Sequence, residues 1–279
     1  AAENTAPGAT AIPPDQGPRP DLQRVLDRHA LTLDAARPEA MAKRHALGQR
    51  SAREFIDAVC EPGSFIEYGA LAVAAQRSRR SEDDLQKNTP ADGLVGGLAQ
   101  VGTGPAVVMA YDATVLAGTQ GMRNHQKTDR LLGVALAQKL PVLLWAEGGG
   151  GRPGDVDMPI VAGLHVGTFA ALARLSGQVP LIGATGGRCF AGNAALLGCC
   201  DIVIATRSSN IGMGGPAMVE GGGLGVFKPE QIGPSSVQHA NGVIDVLVDD
   251  EVQAAQVARQ ALSYFQGAQA AGEAPEASA

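Results

Sequence analysis

Hydrophobic residues along the chain follow two different periodicities. Short apolar runs, which predict β-strands, start at Leu94, and longer stretches with helical spacing lie between the later runs. The runs are Leu94–Val101, Ala106–Tyr111, Val142–Ala146, Leu181–Ala184, Ile202–Ala205 and Val243–Val248, and the helical stretches are about Gly121–Lys139, Pro159–Ser176 and Glu251–Gln266. Two strands followed by repeated helix and strand predict an α/β fold of the ββα spiral type rather than a doubly wound sheet.

The region before Leu94 is predicted to be helical in part. Helical spacing covers Asp21–Ala36 and Ser51–Cys60, and Ser51 with Glu54 forms a candidate capping box. Residues 1–20 and 267–279 are rich in Ala, Pro and Gly without apolar periodicity, which is typical of flexible linkers. Residues 21–266 are therefore expected to form one large domain. The linker-like ends indicate either a segment of a longer polypeptide or residues added in cloning.

Composition narrows the classes of function. The chain has 45% hydrophobic residues, 37 glycines and only 4% aromatic residues, which favours a layered α/β core over a helical bundle. A net charge of -6 argues against nucleic acid as the main partner. Neither a transmembrane run nor a signal peptide is apparent in the sequence, and the cysteines lack the spacing of a metal site, so a cytoplasmic protein without a metal is expected.

Two glycine-rich turns are the main candidates for chemistry. The segment VLLWAEGGGGR runs from an apolar strand into four consecutive glycines, and VPLIGATGGRCFAGN repeats the arrangement. Backbone NH groups at glycines approach a ligand closely because no side chain intervenes. Gly150 and Gly151, at the end of one strand, and Gly186 and Gly187, expected at the start of a helix, are therefore predicted to form oxyanion holes. The alternative for each turn alone is a flexible loop.

Charged residues near these turns have two interpretations each. Glu147 and Asp155 flank the first turn as candidate acid or base groups, but holding the loop or capping a helix is the preferred interpretation. Five basic residues are candidates for binding anionic groups of a substrate, with an ordinary solvated helix face as the alternative for the three at helical spacing. They are Arg123, Lys127, Arg130, Arg152 and Arg188. No histidine accompanies a GxSxG nucleophile motif, so a hydrolytic triad is not expected.

Several segments together resemble the N-terminal half of the biotin-dependent acyl-CoA carboxyltransferases, which belong to the crotonase superfamily. In chain order they are KRHALGQRSARE (Lys43–Glu54), EPGSFIE (Glu61–Glu67), ADGLVGG (Ala91–Gly97), YDATVLAGTQG (Tyr111–Gly121), EGGGGR (Glu147–Arg152), Gly183–Asn193, Gly214-Gly215-Pro216, and Glu230 with Gly233. The resemblance covers about residues 40–266. Three departures from the family pattern concern substrate choice: Glu147-Gly148 in place of Asp-Ser, Pro153 after Arg152, and a charged Arg188.

The resemblance implies a crotonase-like fold and a ligase reaction in fatty acid metabolism. Carboxybiotin, carried on a separate domain or subunit, would release CO2 beside a bound acyl-CoA, the biotin ureido nitrogen would take the α-proton, and the enolate would attack the CO2. The glycine turns would stabilise the oxyanions, which agrees with the missing triad. The implied partners are the C-terminal half of the transferase, a biotin carboxylase and a biotin carrier domain, in a homo-oligomer.

Two other functions remain open at this stage. The first is a decarboxylase subunit of the same fold that acts on a malonyl thioester, and the second is a non-catalytic scaffold that uses the fold for assembly. The sequence fixes neither the acyl chain length nor the contacts to the CoA phosphates.

Overall fold

The structure is a computed structural model that describes residues 17–157 and 166–267. Its α-helices, in chain order, are α1 (Pro20–Ala30), α2 (Pro38–Ala46), α3 (Ala52–Val59), α4 (Glu82–Asn88), α5 (Met122–Gln138), α6 (Thr168–Ala173), α7 (Gly192–Leu197), α8 (Pro216–Gly221), α9 (Ser235–Ala240) and α10 (Glu251–Ser263). Its strands are β1 (Ile66–Glu67), β2 (Leu94–Val101), β3 (Gly104–Tyr111), β4 (Val142–Trp145), β5 (Leu181–Thr185), β6 (Arg188–Phe190), β7 (Ile202–Thr206), β8 (Asn210–Gly212) and β9 (Val246–Val248).

Seven strands form the main sheet in the order β1-β2-β3-β4-β5-β7-β9. The pairs β1–β2 and β2–β3 are antiparallel, and every pair from β3 onward is parallel. Strands β6 and β8 form a small parallel sheet of their own. The predicted order of two strands followed by alternating helix and strand is confirmed, because a crossover helix is what joins neighbouring parallel strands.

Helices cover both faces of the sheet. Alternate side chains of β4 point to opposite faces, so Leu143 and Trp145 pack with α3 and α10, whereas Val142 and Leu144 pack with α5. The predicted capping box of Ser51 and Glu54 is confirmed. The Ser51 hydroxyl accepts from the Glu54 amide at 3.0 Å, and the Glu54 carboxylate accepts from the Ser51 amide at 2.7 Å. This box fixes the start of α3 against the sheet.

Some sequence predictions need correction. The stretch Asp21–Ala36 is two elements, α1 and a 3₁₀ turn at Asp34–Ala36, because the helix ends after Ala30. Gly186 and Gly187 do not start a helix, since β6 intervenes and α7 begins only at Gly192. Within Pro159–Ser176 the structure has α6 alone, and residues 158–165 lie outside the described residues, as do 1–16 and 268–279 of the two expected linkers.

None of the described helices is long and apolar enough to cross a bilayer.

Candidate active site

The two glycine turns meet at one edge of the sheet. Strands β4 and β5 are parallel neighbours, with Trp145 opposite Ala184, so the segments that follow them leave the sheet side by side. The Gly148 amide donates to the Arg188 carbonyl at 2.7 Å, and the Phe190 amide donates to the Gly148 carbonyl at 2.9 Å. These bonds hold the first turn (Gly148–Gly151) against β6, which begins directly after the second turn (Gly186–Gly187).

The first turn is also held by the loop after β3. The Gly149 amide donates to the Ala117 carbonyl at 3.0 Å, and the Gly150 amide donates to Asn193 Oδ1 at 3.1 Å. A Cβ on Gly118 or on Gly148 would overlap the backbone of the other, so both positions need glycine. Most amides of this turn therefore bind the protein itself.

The four predicted oxyanion positions have different surroundings. Gly150 is buried with φ +86°, and Gly151 is exposed with nothing within 4 Å of an added Cβ. A Cβ on Gly186 would overlap the Glu251 carboxylate, and one on Gly187 would overlap that of Glu147.

A cleft of about 520 Å³ opens beside both turns, and we call it the glycine cleft. It is lined by Arg44, Gln49, Glu147, Gly149, Gly187 and Arg188, among others. Of the four predicted oxyanion positions, Gly187 is the one that lines it.

A buried ion pair forms one wall of the glycine cleft. The Arg44 guanidinium donates to both Glu147 oxygens, from Nη1 to Oε1 at 3.1 Å and from Nη2 to Oε2 at 2.8 Å. Trp145 Nε1 donates to Glu147 Oε2 at 3.2 Å, and Glu251 Oε1 lies 3.8 Å from Arg44 Nη2. The side chains of Arg44, Glu147 and Glu251 are all less than a tenth exposed, so Arg44 compensates the charge of Glu147 away from water, with Glu251 as a second carboxyl group beside the pair.

Burial and neighbouring charges change the protonation of this cluster. Burial, and next the Glu147 carboxylate, raise the pKa of Glu251 to about 7. Burial acts to lower the pKa of Arg44, but the Glu147 and Glu251 carboxylates outweigh it and the pKa stands above its ordinary value. Glu251 is therefore expected to titrate near neutral pH.

Arg152 holds the first turn instead of facing the cleft. Its side chain is 5% exposed and pairs with Asp92 and, at 3.6 Å, with Asp155. The Asp155 carboxylate also accepts from the Met122 amide at 2.8 Å, at the first residue of α5. Asp155 and Arg152 therefore tie the first turn to α5, which matches the loop-holding interpretation of the carboxylates.

The three basic residues of α5, together with Tyr68 and Gly69, line a different surface. We call this surface the α5 groove. Arg123, Lys127 and Arg130 do share one helix face there, as their spacing indicates. Lys127 is buried, its Nζ donates to the Ala91 carbonyl at 2.8 Å and to that of Leu94, and burial lowers its pKa to about 8. The α5 groove and the glycine cleft have no lining residue in common.

A second cleft, of about 730 Å³, adjoins the glycine cleft, with which it shares Arg44, Leu47 and Ala113. It carries three further basic side chains, Arg37, Lys43 and Lys87, and we call it the basic cleft. Arg37 donates to Asp112 at 2.8 Å and to Thr114 at 2.6 Å, whereas Lys43 and Lys87 are exposed.

The sequence did not single out Arg44, Glu251 or Asn193 as site residues. Arg44 lies 103 positions from Glu147, and nothing in either local pattern indicates their pairing. Glu251 follows the N-cap Asp250 in the first turn of α10, where an acidic residue is ordinary. Among the described residues, no group of three or more His, Cys, Asp or Glu side chains is placed to hold a metal ion.

Comparison with known proteins gives a consistent result. The model of the carboxyl transferase domain matches residues 43–279. A biotin-dependent 3-methylcrotonyl-CoA carboxylase β1 subunit of Mycobacterium tuberculosis is 30% identical over 233 residues, which are 81% of this chain and 42% of that protein. The solved structure of a single-chain, multi-domain long-chain acyl-CoA carboxylase is 62% identical with a TM-score of 0.86, over 90% of this chain and 26% of that one.

A transcarboxylase 12S structure, at 24% identity, has a TM-score of 0.74 over 87% of this chain and 46% of that one, which supports the crotonase-like fold. The chain spans less than half the length of these relatives.

Proposed function

The chain belongs to the carboxyl transferase domain family, and from this we propose that it forms the N-terminal half of the carboxyltransferase of a biotin-dependent acyl-CoA carboxylase. The observation that carries the proposal is the meeting of two strand-end glycine turns at one cleft, because such turns can stabilise a thioester enolate without a nucleophilic side chain. Carboxybiotin, when bound, supplies the carboxyl group.

Residues of this chain have the task of holding the thioester and its enolate. Gly187 is our first candidate for an oxyanion donor, because it lines the glycine cleft and cannot carry a side chain beside Glu147. Gly150 is a weaker candidate because its amide already donates to Asn193 Oδ1. Gly186 and Gly151 are weaker candidates because they do not line the glycine cleft. Arg188 also lines the cleft; its Nη2 pairs with Glu230 at 2.7 Å, and because both side chains are exposed, its other N–H groups can meet an anionic group.

The CoA phosphates are proposed to bind in the basic cleft. This cleft adjoins the glycine cleft, and the ammonium groups of Lys43 and Lys87 lie on exposed side chains. The α5 groove suits the phosphates less well because Lys127 is buried against backbone carbonyls and the groove is separate from the glycine cleft. Arg152 is likewise committed to Asp92 and Asp155.

Long-chain acyl-CoA is the substrate class that we propose. The relative with 62% identity is a long-chain acyl-CoA carboxylase. Beside the glycine cleft, the segment 213–227 follows β8 and exposes large apolar side chains, which a long acyl chain would cover. These are Met213, Met218, Leu224, Val226 and Phe227.

Partner domains are part of the same proposal. The family resemblance implies a C-terminal transferase half, a biotin carboxylase and a biotin carrier domain, and the 12S relative is described as a hexamer. The site would be completed only in a homo-oligomer with the C-terminal half present.

The test measures carboxyl transfer from a carboxylated acyl-CoA to free biotin by the full-length protein. We expect transfer that is faster with long-chain than with acetyl-type thioesters. Release of CO2 without transfer to biotin would favour the decarboxylase, and neither turnover nor CoA-ester binding would favour the scaffold.

A pair of matched double variants locates the phosphates. Lys43→Ala with Lys87→Ala should raise KM for acyl-CoA at least fivefold at low salt and change kcat less, because ground-state binding is lost. Arg123→Ala with Arg130→Ala removes the same charge from the α5 groove and should leave KM within about twofold. A raised KM in the Arg123/Arg130 double variant, with KM unchanged in the Lys43/Lys87 double variant, would instead indicate that the CoA phosphates bind in the α5 groove.

A further inference from the structure

Glu251 lies directly against the second glycine turn. The residue is 5% exposed, and its carboxylate occupies the space that a Cβ of Gly186 would need. Its Oε2 accepts from the Arg50 amide at 2.6 Å, while its Oε1 has no hydrogen-bond partner in the described part of the chain. One oxygen of a buried carboxyl group therefore faces Gly186 without a hydrogen bond, with the Arg44 guanidinium 3.8 Å away, an arrangement that is costly for a charged carboxylate and much less so for a protonated one.

Charge balance around Glu251 depends on its protonation. Arg44 is 2.8 Å from Glu147 and 3.8 Å from Glu251, so one guanidinium serves two buried carboxylates. With Glu251 protonated the cluster is neutral, and with Glu251 ionised it carries one net negative charge. The other charged or titratable groups around Glu251 are Arg50, His45, Glu54 and Asp250, which line the opening beside it, and His45 and Glu54 pair with each other at 3.0 Å.

We propose that Glu251 is a positioning residue for the second glycine turn, and that this turn stabilises a thioester enolate only while Glu251 is uncharged. The inference rests on the proposed function, because it needs an enolate at this turn. A negative charge beside Gly186 opposes the negative oxygen that Gly187 is proposed to receive, whereas a neutral carboxyl group fills the same space without that repulsion. A pKa of about 7 for Glu251 brings the change within reach of ordinary assays.

The size of the effect follows from Coulomb's law. For two unit charges about 7 Å apart at an effective dielectric constant of about 20, the repulsion corresponds to a change in rate on the order of tenfold to a hundredfold, which is the size of effect that we expect for enolate formation. Because the charged form is the inhibiting one, kcat should fall as the pH rises through about 7.

The experiment compares kcat for carboxyl transfer to free biotin between about pH 6 and 9 in the full-length protein. Wild type should lose at least tenfold across this range. Glu251→Gln and Glu251→Met, two uncharged side chains of similar length, should lack that decrease and keep KM within about twofold. Either variant suffices if the other does not fold. Asp57→Asn, which removes an exposed carboxylate on α3, is the control and should keep the wild-type profile.

A decrease in kcat that persists in both Glu251 variants would overturn the inference, and so would an equal loss of activity at every pH, which indicates a structural role alone. A wild-type protein that transfers no carboxyl group at any pH would overturn the proposed function as well. An active wild type with unaltered profiles in the variants would overturn only the role of Glu251.

Discussion

Removing the charge of Glu251 should stabilise the fold at alkaline pH. Glu251→Gln keeps the size of the side chain and an oxygen that can accept from the Arg50 amide. In wild type the pKa of Glu251 is raised from 4.5 to about 7 in the folded state, because burial and the Glu147 carboxylate oppose ionisation. The folded protein therefore holds a proton that the unfolded chain has already released between these pH values.

The sign and magnitude follow from linkage. Below about pH 4.5 Glu251 is protonated in both the folded and the unfolded state, and its contribution to the free energy of unfolding is fully present. This contribution is lost as the pH rises through about 7, where Glu251 ionises in the folded state. A rise in pKa from 4.5 to about 7 corresponds to about 3 kcal/mol of unfolding free energy. The stability of Glu251→Gln relative to wild type should thus increase by up to about 3 kcal/mol between pH 4.5 and pH 8.

Urea unfolding of the chain at several pH values measures this difference. Trp145 is the single tryptophan, it is 1% exposed, and its Nε1 donates to Glu147, so its fluorescence reports on the cluster itself. Asp57→Asn serves as the matched control and should show no such trend. A difference between Glu251→Gln and wild type that is independent of pH would refute the reasoning. A difference of opposite sign would show that Arg44 stabilises the ionised carboxylate more than burial penalises it.

Further predictions concern the turns and their supports. Gly187→Ala should lower kcat for carboxyl transfer by about a hundredfold or more, because the added Cβ would overlap Glu147. Gly151→Ala, whose Cβ meets nothing within 4 Å, is the control and should keep kcat within about threefold of wild type. Comparable losses in the two variants would count against the proposed role of the second turn. Lys127→Met should destabilise the chain by about 1–3 kcal/mol in urea unfolding, since the Ala91 carbonyl loses its buried donor, and an unchanged midpoint would contradict that.

The sequence predicts the parallel strands well because each is a short, buried apolar run. Val142–Ala146 and Leu181–Ala184 agree with β4 and β5 to within a residue, so the two glycine turns follow strand ends as predicted. Strand β6, at Arg188–Phe190, was missed because three residues after a glycine pair give no periodicity, and it pairs with β8, itself only three residues long.

The side chains that pack against the two glycine turns could not be predicted from the sequence. The partners of Glu147 and Gly186 come from α2 and α10, far away in the chain, and only tertiary packing brings them together. Lys127 was predicted as a candidate for binding anionic groups from its helical spacing with Arg123 and Arg130, and this stays a prediction. What the spacing does not indicate is that its ammonium group donates to the backbone carbonyls of Ala91 and Leu94, next to Ala91 and Asp92 with φ angles of 53° and 49°. Residues in this left-handed region are strained, and a buried donor helps to hold them there.

The close approach of Gly118 and Gly148 has a consequence for how this protein can evolve. Each glycine occupies space that the Cβ of the other position would need, because an added Cβ at either one overlaps the partner's backbone. Every amino acid that a single nucleotide change can introduce at a glycine codon carries a Cβ, so neither position has a neutral first step away from glycine. A compensating change at the partner cannot help, since glycine has nothing left to remove. Because the family pattern has serine at the position of Gly148, we expect chains that carry this serine to hold the loop after β3 farther from the first turn than Gly118 lies here.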